Sequence, residues 1–331
     1  MIALPIVETS QIADARRQAL ALGEAGGLDE TDRARSGIVV TELATNMLKH
    51  GGGGELLVAL CDDASGAGLE LLALDRGPGM ADVGGCLADG YSTSGTRGHG
   101  LGAVVRQSQS VDIVSWPEKG TAILARVTKG RPRTEPGRPE WGAVSVAKPG
   151  EEACGDAWSA EDTAAGRTLL VVDGLGHGPE AAQAAMEAVR VFQRNRNRPV
   201  PELLDYLHAG LRATRGAALA VARFDAERHK VVYAGIGNIS GVIVANGSVR
   251  RMVSHNGTAG HQARKIQAFD YPFEGGLVIM HSDGLSANWT LDSYPGLANA
   301  HPTLIAGVLY RDFRRERDDA TILVVNGKAH A

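Results

Sequence analysis

The sequence predicts an α+β protein of two domains. Three observations carry that: its length, a break in its apolar patterning after Thr128, and a change of pattern across the break. At 331 residues the chain is long for one hydrophobic core, since cores usually stop growing below about 300 residues. The break is KGRPRTEPGRPEW, whose prolines, glycines and arginines neither pair as strands nor continue a helix. It divides the chain into a domain over 1–129, a linker over 130–140 and a domain over 141–327.

In the first domain helices and strands are mixed. An opening strand precedes helices near 10–22 and 29–50, strands near 55–62 and 68–75, and a glycine-rich loop. A helix from about Leu101 and strands near 111–116 and 121–128 complete it. The second domain reads as strands near 142–147 and 168–172, then helices near 179–195 and 201–214. Four strand-like runs fill 217–253, with Asn246-Gly247 as a tight hairpin between the last two. Strands around 277–281 and 320–326 flank a helical or irregular segment, which makes a mostly antiparallel sheet protein with helices attached.

Composition narrows the function classes. Hydrophobic content of 44%, charged content of 22% and 43 glycines describe a folded globular chain rather than a fibrous or disordered one. A net charge of −4 supplies no broad cationic surface, so nucleic acid is not an expected partner. Cys61, Cys86 and Cys154 lie far apart and lack C-x-x-C spacing, which fits a reducing compartment. MIALPIVETS has no signal-type pattern, and no apolar run approaches the ~20 residues that span a bilayer. A cytoplasmic protein without a membrane partner is expected.

Chemistry concentrates at two places. In TELATNMLKH, Glu42 and Asn46 are four apart on a helix and share a face. The strand LELLAL ends in Asp75-Arg76-Gly77-Pro78-Gly79, where an acid at a strand end could accept from an adenine amino group and the glycines permit close backbone approach. Gly98-His99-Gly100-Leu101-Gly102 opens a helix whose free N–H groups suit phosphate. Gly120-Thr121 then begins a strand.

E-x-x-x-N, D-x-G-x-G and G-x-G-x-G in this order, followed by G-T, resemble the Bergerat fold of gyrase, chaperone and histidine-kinase ATPases (HATPase_c, GHKL). Within that group the likeness is to the anti-sigma-factor and switch-protein serine kinases, which Asp89-Gly90-Tyr91-Ser92-Thr93-Ser94-Gly95 also resembles. The resemblance implies an α/β sandwich, a mixed sheet with helices on one face. It implies that Asn46 binds the Mg²⁺ on ATP, that Asp75 reads adenine, and that Gly98, Gly100 and Gly102 line the phosphate lid. Gly77, Gly79 and Thr121 complete the nucleotide set, and Glu42 is the base for an incoming hydroxyl. His50 and His99 read as structural or lid residues.

In the second domain, RTLLVVDGLGHG and LVIMHSDG place Asp173 and Asp283 directly after apolar strands, and RDDATILVV places Asp318 and Asp319 directly before one. If the last strand is antiparallel to the others, these acids converge at one sheet edge, where hard oxygen ligands suit Mg²⁺ or Mn²⁺. Paired ions about 4 Å apart can ready a water nucleophile and stabilise a phosphoryl transition state. Gly155-Asp156, VVDGLGHG, HSDGL and RDDAT resemble the SpoIIE-type branch of PP2C-like serine/threonine phosphatases over roughly 141–326.

That resemblance implies an α-β-β-α sandwich with two Mn²⁺ or Mg²⁺ ions. Asp173 would bridge both, the Gly174 carbonyl would bind one, and Asp283 and Asp318 the other. Asp156 would support a metal-bound water, and Asp319 is a further candidate. No arginine is nominated for the substrate phosphate. His177 reads either as a general acid or as a hydrogen-bonding turn residue.

Together these motifs predict a bifunctional regulator that phosphorylates a serine or threonine on a STAS-type anti-sigma antagonist or stressosome-like scaffold and removes such a phosphate. A homodimer is compatible with it. The alternative is a phosphatase whose first domain only binds ATP or sequesters a sigma or STAS partner.

Overall fold

A computed structural model of the chain describes residues 1–63, 66–84, 100–129, 140–163, 166–225, 227–263 and 266–327. It divides into two compact units, Met1–Pro139 with Leu291–Arg311, and Glu140–Thr290 with Asp312–Ala331.

The first unit is built on strands β1 (Ile2–Ile6), β2 (Gly54–Asp63), β3 (Gly66–Asp75), β4 (Ser110–Trp116) and β5 (Gly120–Thr128), in the order β1-β2-β3-β5-β4. Helices α1 (Ser10–Ala25) and α2 (Glu30–Gly51) separate β1 from β2. The Asp29 side chain caps α2 by accepting from the Asp32 N–H at 2.8 Å. Gly52, with φ 69°, ends it as only a residue at ease in the left-handed region does. Val39, Val40, Leu43, Ala44 and Met47 form one apolar stripe of α2 and pack on Leu56, Val58, Leu69, Leu71 and Ala73 of the sheet.

Every ladder of this sheet is antiparallel, where the sequence reading expects a mixed sheet. β2–β3 and β4–β5 are hairpins, and hairpin partners must run in opposite directions. β3 and β4 do run parallel, but β5 lies between them, so no parallel ladder forms. The face of the sheet away from α1 and α2 is apolar too. Leu72 pairs with Leu124 and Leu74 with Ala122 there, all four buried. The helix Pro302–Phe313 brings Gly307 onto that face, where an added Cβ would come within 2.7 Å of the Leu72 side chain.

The second unit contains two five-stranded antiparallel sheets. One joins β7 (Asp156–Thr163), β8 (Gly166–Gly174), β9 (Ala217–Asp225), β10 (Lys230–Ile236) and β15 (Phe269–Pro272), in the order β15-β10-β9-β8-β7. The other joins β6 (Trp141–Val146), β11 (Ser240–Ala245), β12 (Ser248–Met252), β16 (Gly276–His281) and β17 (Ala320–Gly327), in the order β12-β11-β16-β17-β6. The short strands β13 (Gly257–Thr258) and β14 (Gln262–Ala263) pair with each other.

Leu169, Val171, Ala220 and Tyr233 of the first sheet meet Ile243, Val278, Met280 and Leu323 of the second in a common core. On its other side the first sheet packs Leu170, Val172, Leu219 and Val221 against the helices Pro179–Asn195 and Val200–Gly210. Each strand thus places alternate residues in different cores. Asn246 and Gly247 both have positive φ, 49° and 71°, as the two-residue hairpin turn requires.

Candidate active sites

In the first unit the helix α2 and the glycine at the opening of the Gly100–Gln107 helix come together. A Cβ at Gly100 would lie 3.2 Å from Asn46 Oδ1 and 3.2 Å from Glu42 Oε2. Glu42, Asn46 and Gly100 are therefore one cluster, as the i, i+4 spacing implies. Gly102 is buried within the first turn of the same helix, and Gly98, His99 and the 89–95 segment lie outside the described residues.

A second cluster gathers at the end of β3. Asp75 Oδ1 accepts from the Gly77 N–H at 2.9 Å and the Thr121 N–H at 3.1 Å. A Cβ at Gly51 would lie 2.6 Å from Asp75 Cβ, and one at Gly77 2.5 Å from Gly51 Cα. Gly79 and Gly120 have φ of 72° and 78° and approach backbone closely, Gly79 at the Trp116 carbonyl and Gly120 at the Asp75 carbonyl. Burial raises the Asp75 pKa above its ordinary value, while the two backbone donors oppose the rise. The sequence reading missed Gly51, which ends α2, and Ser115, whose Oγ accepts from the Met80 N–H at 2.7 Å and lies 2.9 Å from Thr121 Oγ1.

The acids of the second unit gather at sheet edges. Asp156 and Asp173 are directly paired across β7 and β8. β16 and β17 are antiparallel, with His281 opposite Ile322, so Asp283 after one strand and Asp318 and Asp319 before the other share an edge. Ser282 joins the two sheets: its Oγ donates to Asp156 Oδ2 at 2.6 Å and accepts from the Thr321 N–H at 3.0 Å. Asp283 Oδ2 accepts from Asn238 Nδ2 at 2.8 Å, and Asp319 Oδ1 accepts from the Lys148 N–H at 2.8 Å.

Three glycines bring backbone close to these groups. A Cβ at Gly155 would lie 2.7 Å from Asp319 Oδ2, and the Gly155 carbonyl accepts from the Gly174 N–H at 3.0 Å. A Cβ at Gly284 would lie 1.8 Å from the Asp319 carbonyl oxygen. Residue-type reasoning missed Ser282 and Asn238, since a serine and an asparagine acquire a role only through the edge they reach.

Crowding of like charge shows in the titration of the set. Burial raises Asp173 well above the carboxylate range, and Asp156, Asp283, Asp318 and Asp319 add to the rise. Asp156 is raised by burial, opposed by the Ser282 hydrogen bond and reinforced by Asp319, and Asp283 by burial and then Asp318. Among the described residues no three His, Cys, Asp or Glu side chains close on one point. Their chemistry nonetheless fits a divalent cation, because several hard oxygens that repel one another are what a cation neutralises. His177 sits apart from this hydrogen-bond set, its Nδ1 2.6 Å from Glu151 Oε1 on an exposed surface.

An ATPase-type α/β unit carrying Glu, Asn, Asp and glycine motifs, followed along the chain by a two-sheet sandwich with an acidic edge, has the fold of a kinase-type ATPase domain joined to that of a PP2C-type serine/threonine phosphatase. The chain matches the family described as Histidine kinase-like ATPase domain over residues 7–127 and that described as Stage II sporulation protein E (SpoIIE) over 164–327. Serine/threonine-protein kinase RsbT of Bacillus subtilis (strain 168) is 35% identical over 99 residues, covering 30% of this chain and 74% of RsbT. The chain belongs to the RsbT-like branch of the histidine kinase-like ATPases through its N-terminal part and carries a SpoIIE phosphatase domain behind it, the architecture of a partner-switching regulator.

A structure reported as "The bacterial stressosome: a modular system that has been adapted to control secondary messenger signaling" aligns with TM-score 0.52 and 29% identity over 56% of this chain and 97% of that one. RsbX in complex with magnesium aligns with TM-score 0.48 and 18% identity over 59% of this chain and 98% of that one.

Proposed function

We propose that the chain is a bifunctional switch acting on a STAS-domain protein or anti-sigma antagonist. Its first domain transfers phosphate from Mg²⁺-bound ATP to a serine or threonine, and its second removes that kind of phosphate with two Mn²⁺ or Mg²⁺ ions. The observation that carries the reading is the acidic edge, where Asp156, Asp173, Asp283, Asp318 and Asp319 interact across two sheets. Asp173, the Gly174 carbonyl, Asp283 and Asp318 would hold the ions, Asp156 would orient water through its hydrogen bond with Ser282, and Asp319 would hold the β17 end of the edge. The ions would supply an activated water and neutralise charge on the phosphoryl group.

In the first domain Asp75 accepts from the adenine amino group within the Gly77, Gly79 and Thr121 cradle. Asn46 would ligate Mg²⁺, Gly100 and Gly102 would face the phosphates, and Glu42 would take the proton of the incoming hydroxyl. The serine/threonine kinase activity named for RsbT supports this assignment. No described helix is long and apolar enough to cross a membrane, which accords with a cytoplasmic location.

The test incubates the purified chain with candidate STAS domains and labelled ATP. Wild type transfers label and Glu42→Ala does not, whereas wild type releases phosphate from the phosphorylated partner and Asp173→Asn does not. Absence of transfer under every condition refutes the kinase half, and full release by Asp173→Asn refutes the phosphatase half.

A further inference from the structure

The segment Leu291–Arg311 lies in sequence between Asp283 and Asp318, yet groups with the ATP-binding unit. It is fixed there at both ends. Trp116 Nε1 donates to the Pro295 carbonyl at 3.0 Å, Lys119 Nζ donates to the Ser293 carbonyl at 2.5 Å, and the Trp116 and Tyr294 rings meet edge-on at 5.1 Å.

At the other end Arg311 is 5% exposed, and its Nη1 donates to the Asp75 carbonyl at 2.8 Å and the Thr121 carbonyl at 3.4 Å. Arg76 Nη2 donates in turn to the Arg311 carbonyl. Asp75 and Thr121 are the residues whose other groups make the carboxylate cradle, so Arg311 fixes from behind the two strand ends that aim Asp75. A buried guanidinium costs desolvation free energy that bonds to these carbonyls help to offset, so it is held to them if they move.

The two ends of the excursion close on each other just past Asp283 and just before Asp318. Leu285 and Arg314 form an antiparallel bridge, the Ser286 N–H donates to the Phe313 carbonyl at 2.9 Å, and the Arg315 N–H donates to the Gly284 carbonyl at 2.7 Å. This clamp is the covalent and hydrogen-bonded route by which a shift of the segment would reach the two chain ends that carry Asp283 and Asp318.

We propose that Leu291–Arg311 is a strap through which a nucleotide at Asp75 sets the geometry of the acidic edge, with Arg311 as its positioning residue. The proposal rests on the reading of Asp75 as the adenine acceptor. Phosphatase turnover with and without nucleotide is its kinetic readout, and couplings between sites are typically about fivefold or more.

The experiment measures hydrolysis of p-nitrophenyl phosphate by the full chain at fixed free Mn²⁺, with and without saturating ADP, and takes the ratio, which divides out any change in basal rate. Binding of a fluorescent ADP analogue is measured in parallel. In wild type the ratio departs from one by about fivefold or more, carried by kcat and the Mn²⁺ requirement rather than by KM for the phosphate ester. In Asp75→Asn it is one. In Arg311→Ala it falls towards one, and Arg311→Lys, which keeps a cation to donate to the same carbonyls, restores part of it. Trp116→Phe removes the indole donor to Pro295, reduces the ring that meets Tyr294 and shrinks the ratio as well, which decides the matter if Arg311→Ala does not fold.

A wild type that binds the analogue with a ratio of one overturns the strap, as does an undiminished ratio in both Arg311→Ala and Trp116→Phe. If wild type binds no nucleotide at all, the reading of Asp75 fails and the strap falls with it.

Discussion

Asp173 carries two burdens in the folded chain: it is partly removed from water and it faces other carboxylates. Burial first, and the neighbouring acids second, push Asp156 to about 7 and Asp173 to about 8. Carboxyls whose folded pKa lies above the unfolded value of about 4 bind protons more tightly in the native state. Their contribution to stability is complete below about pH 4 and is lost as pH rises through the folded values. Metal-free protein should accordingly lose thermal stability between about pH 5 and about pH 8, and Mn²⁺ should restore more of it at the alkaline end. Thermal melts in chelator and in Mn²⁺ across that range check this, and a melting temperature that climbs with pH in chelator would contradict it. Asp173, Asp283, Asp318 and Asp319 were legible in the sequence because each abuts an apolar strand, whereas Asp156 entered only through the resemblance of Gly155-Asp156 to the SpoIIE-type phosphatases. Ser282 was not legible, because its importance comes from reaching Asp156 on a strand more than a hundred residues away.

At the scale of the element, glycine decides how closely strand ends approach the acids. Gly120 combines φ 78° with a position where a Cβ would lie 2.1 Å from the Asp75 carbonyl oxygen, so Gly120→Ala must move β5 or β3. Strained left-handed backbone costs about 1–3 kcal/mol, and the displaced carbonyl would also disturb the Asp75 cradle. Gly247 has φ 71° but open space around its Cβ position, so Gly247→Ala should cost only about 1 kcal/mol and leave both sites intact. Denaturant melts with fluorescent-nucleotide titration separate the two cases: Gly120→Ala loses nucleotide affinity and Gly247→Ala keeps it. Equal affinity in both would contradict the account of the cradle.

The same scale explains which elements the sequence revealed. Helix α2 and strands β3, β5, β8 and β17 have long apolar patterns and were legible. β7, with the sequence DAWSAEDT, was missed because it is an edge strand with few apolar residues, although it carries Asp156 opposite Asp173.

Across the whole molecule the two-domain plan followed from the Pro- and Gly-rich break, and both families followed from ordered motifs rather than from any single one. The sequence reading assigned 141–327 to one domain, whereas the contacts of Leu291–Arg311 group it with the ATPase-type unit. A signal for this did exist in the apolar residues on both faces of β3, since an ATPase-type sheet with helices on one face leaves the other face needing cover. Pattern alone could not say which later segment would supply that cover.

The central claim is that the acidic edge is a metal-dependent phosphatase site. The most direct measurement follows p-nitrophenyl phosphate hydrolysis by the chelated protein as Mn²⁺ is added back, in wild type and Asp173→Asn. The account predicts no turnover in chelator, recovery in wild type with added Mn²⁺, and none in Asp173→Asn. Turnover that survives chelation, or recovery in Asp173→Asn equal to wild type, would contradict it.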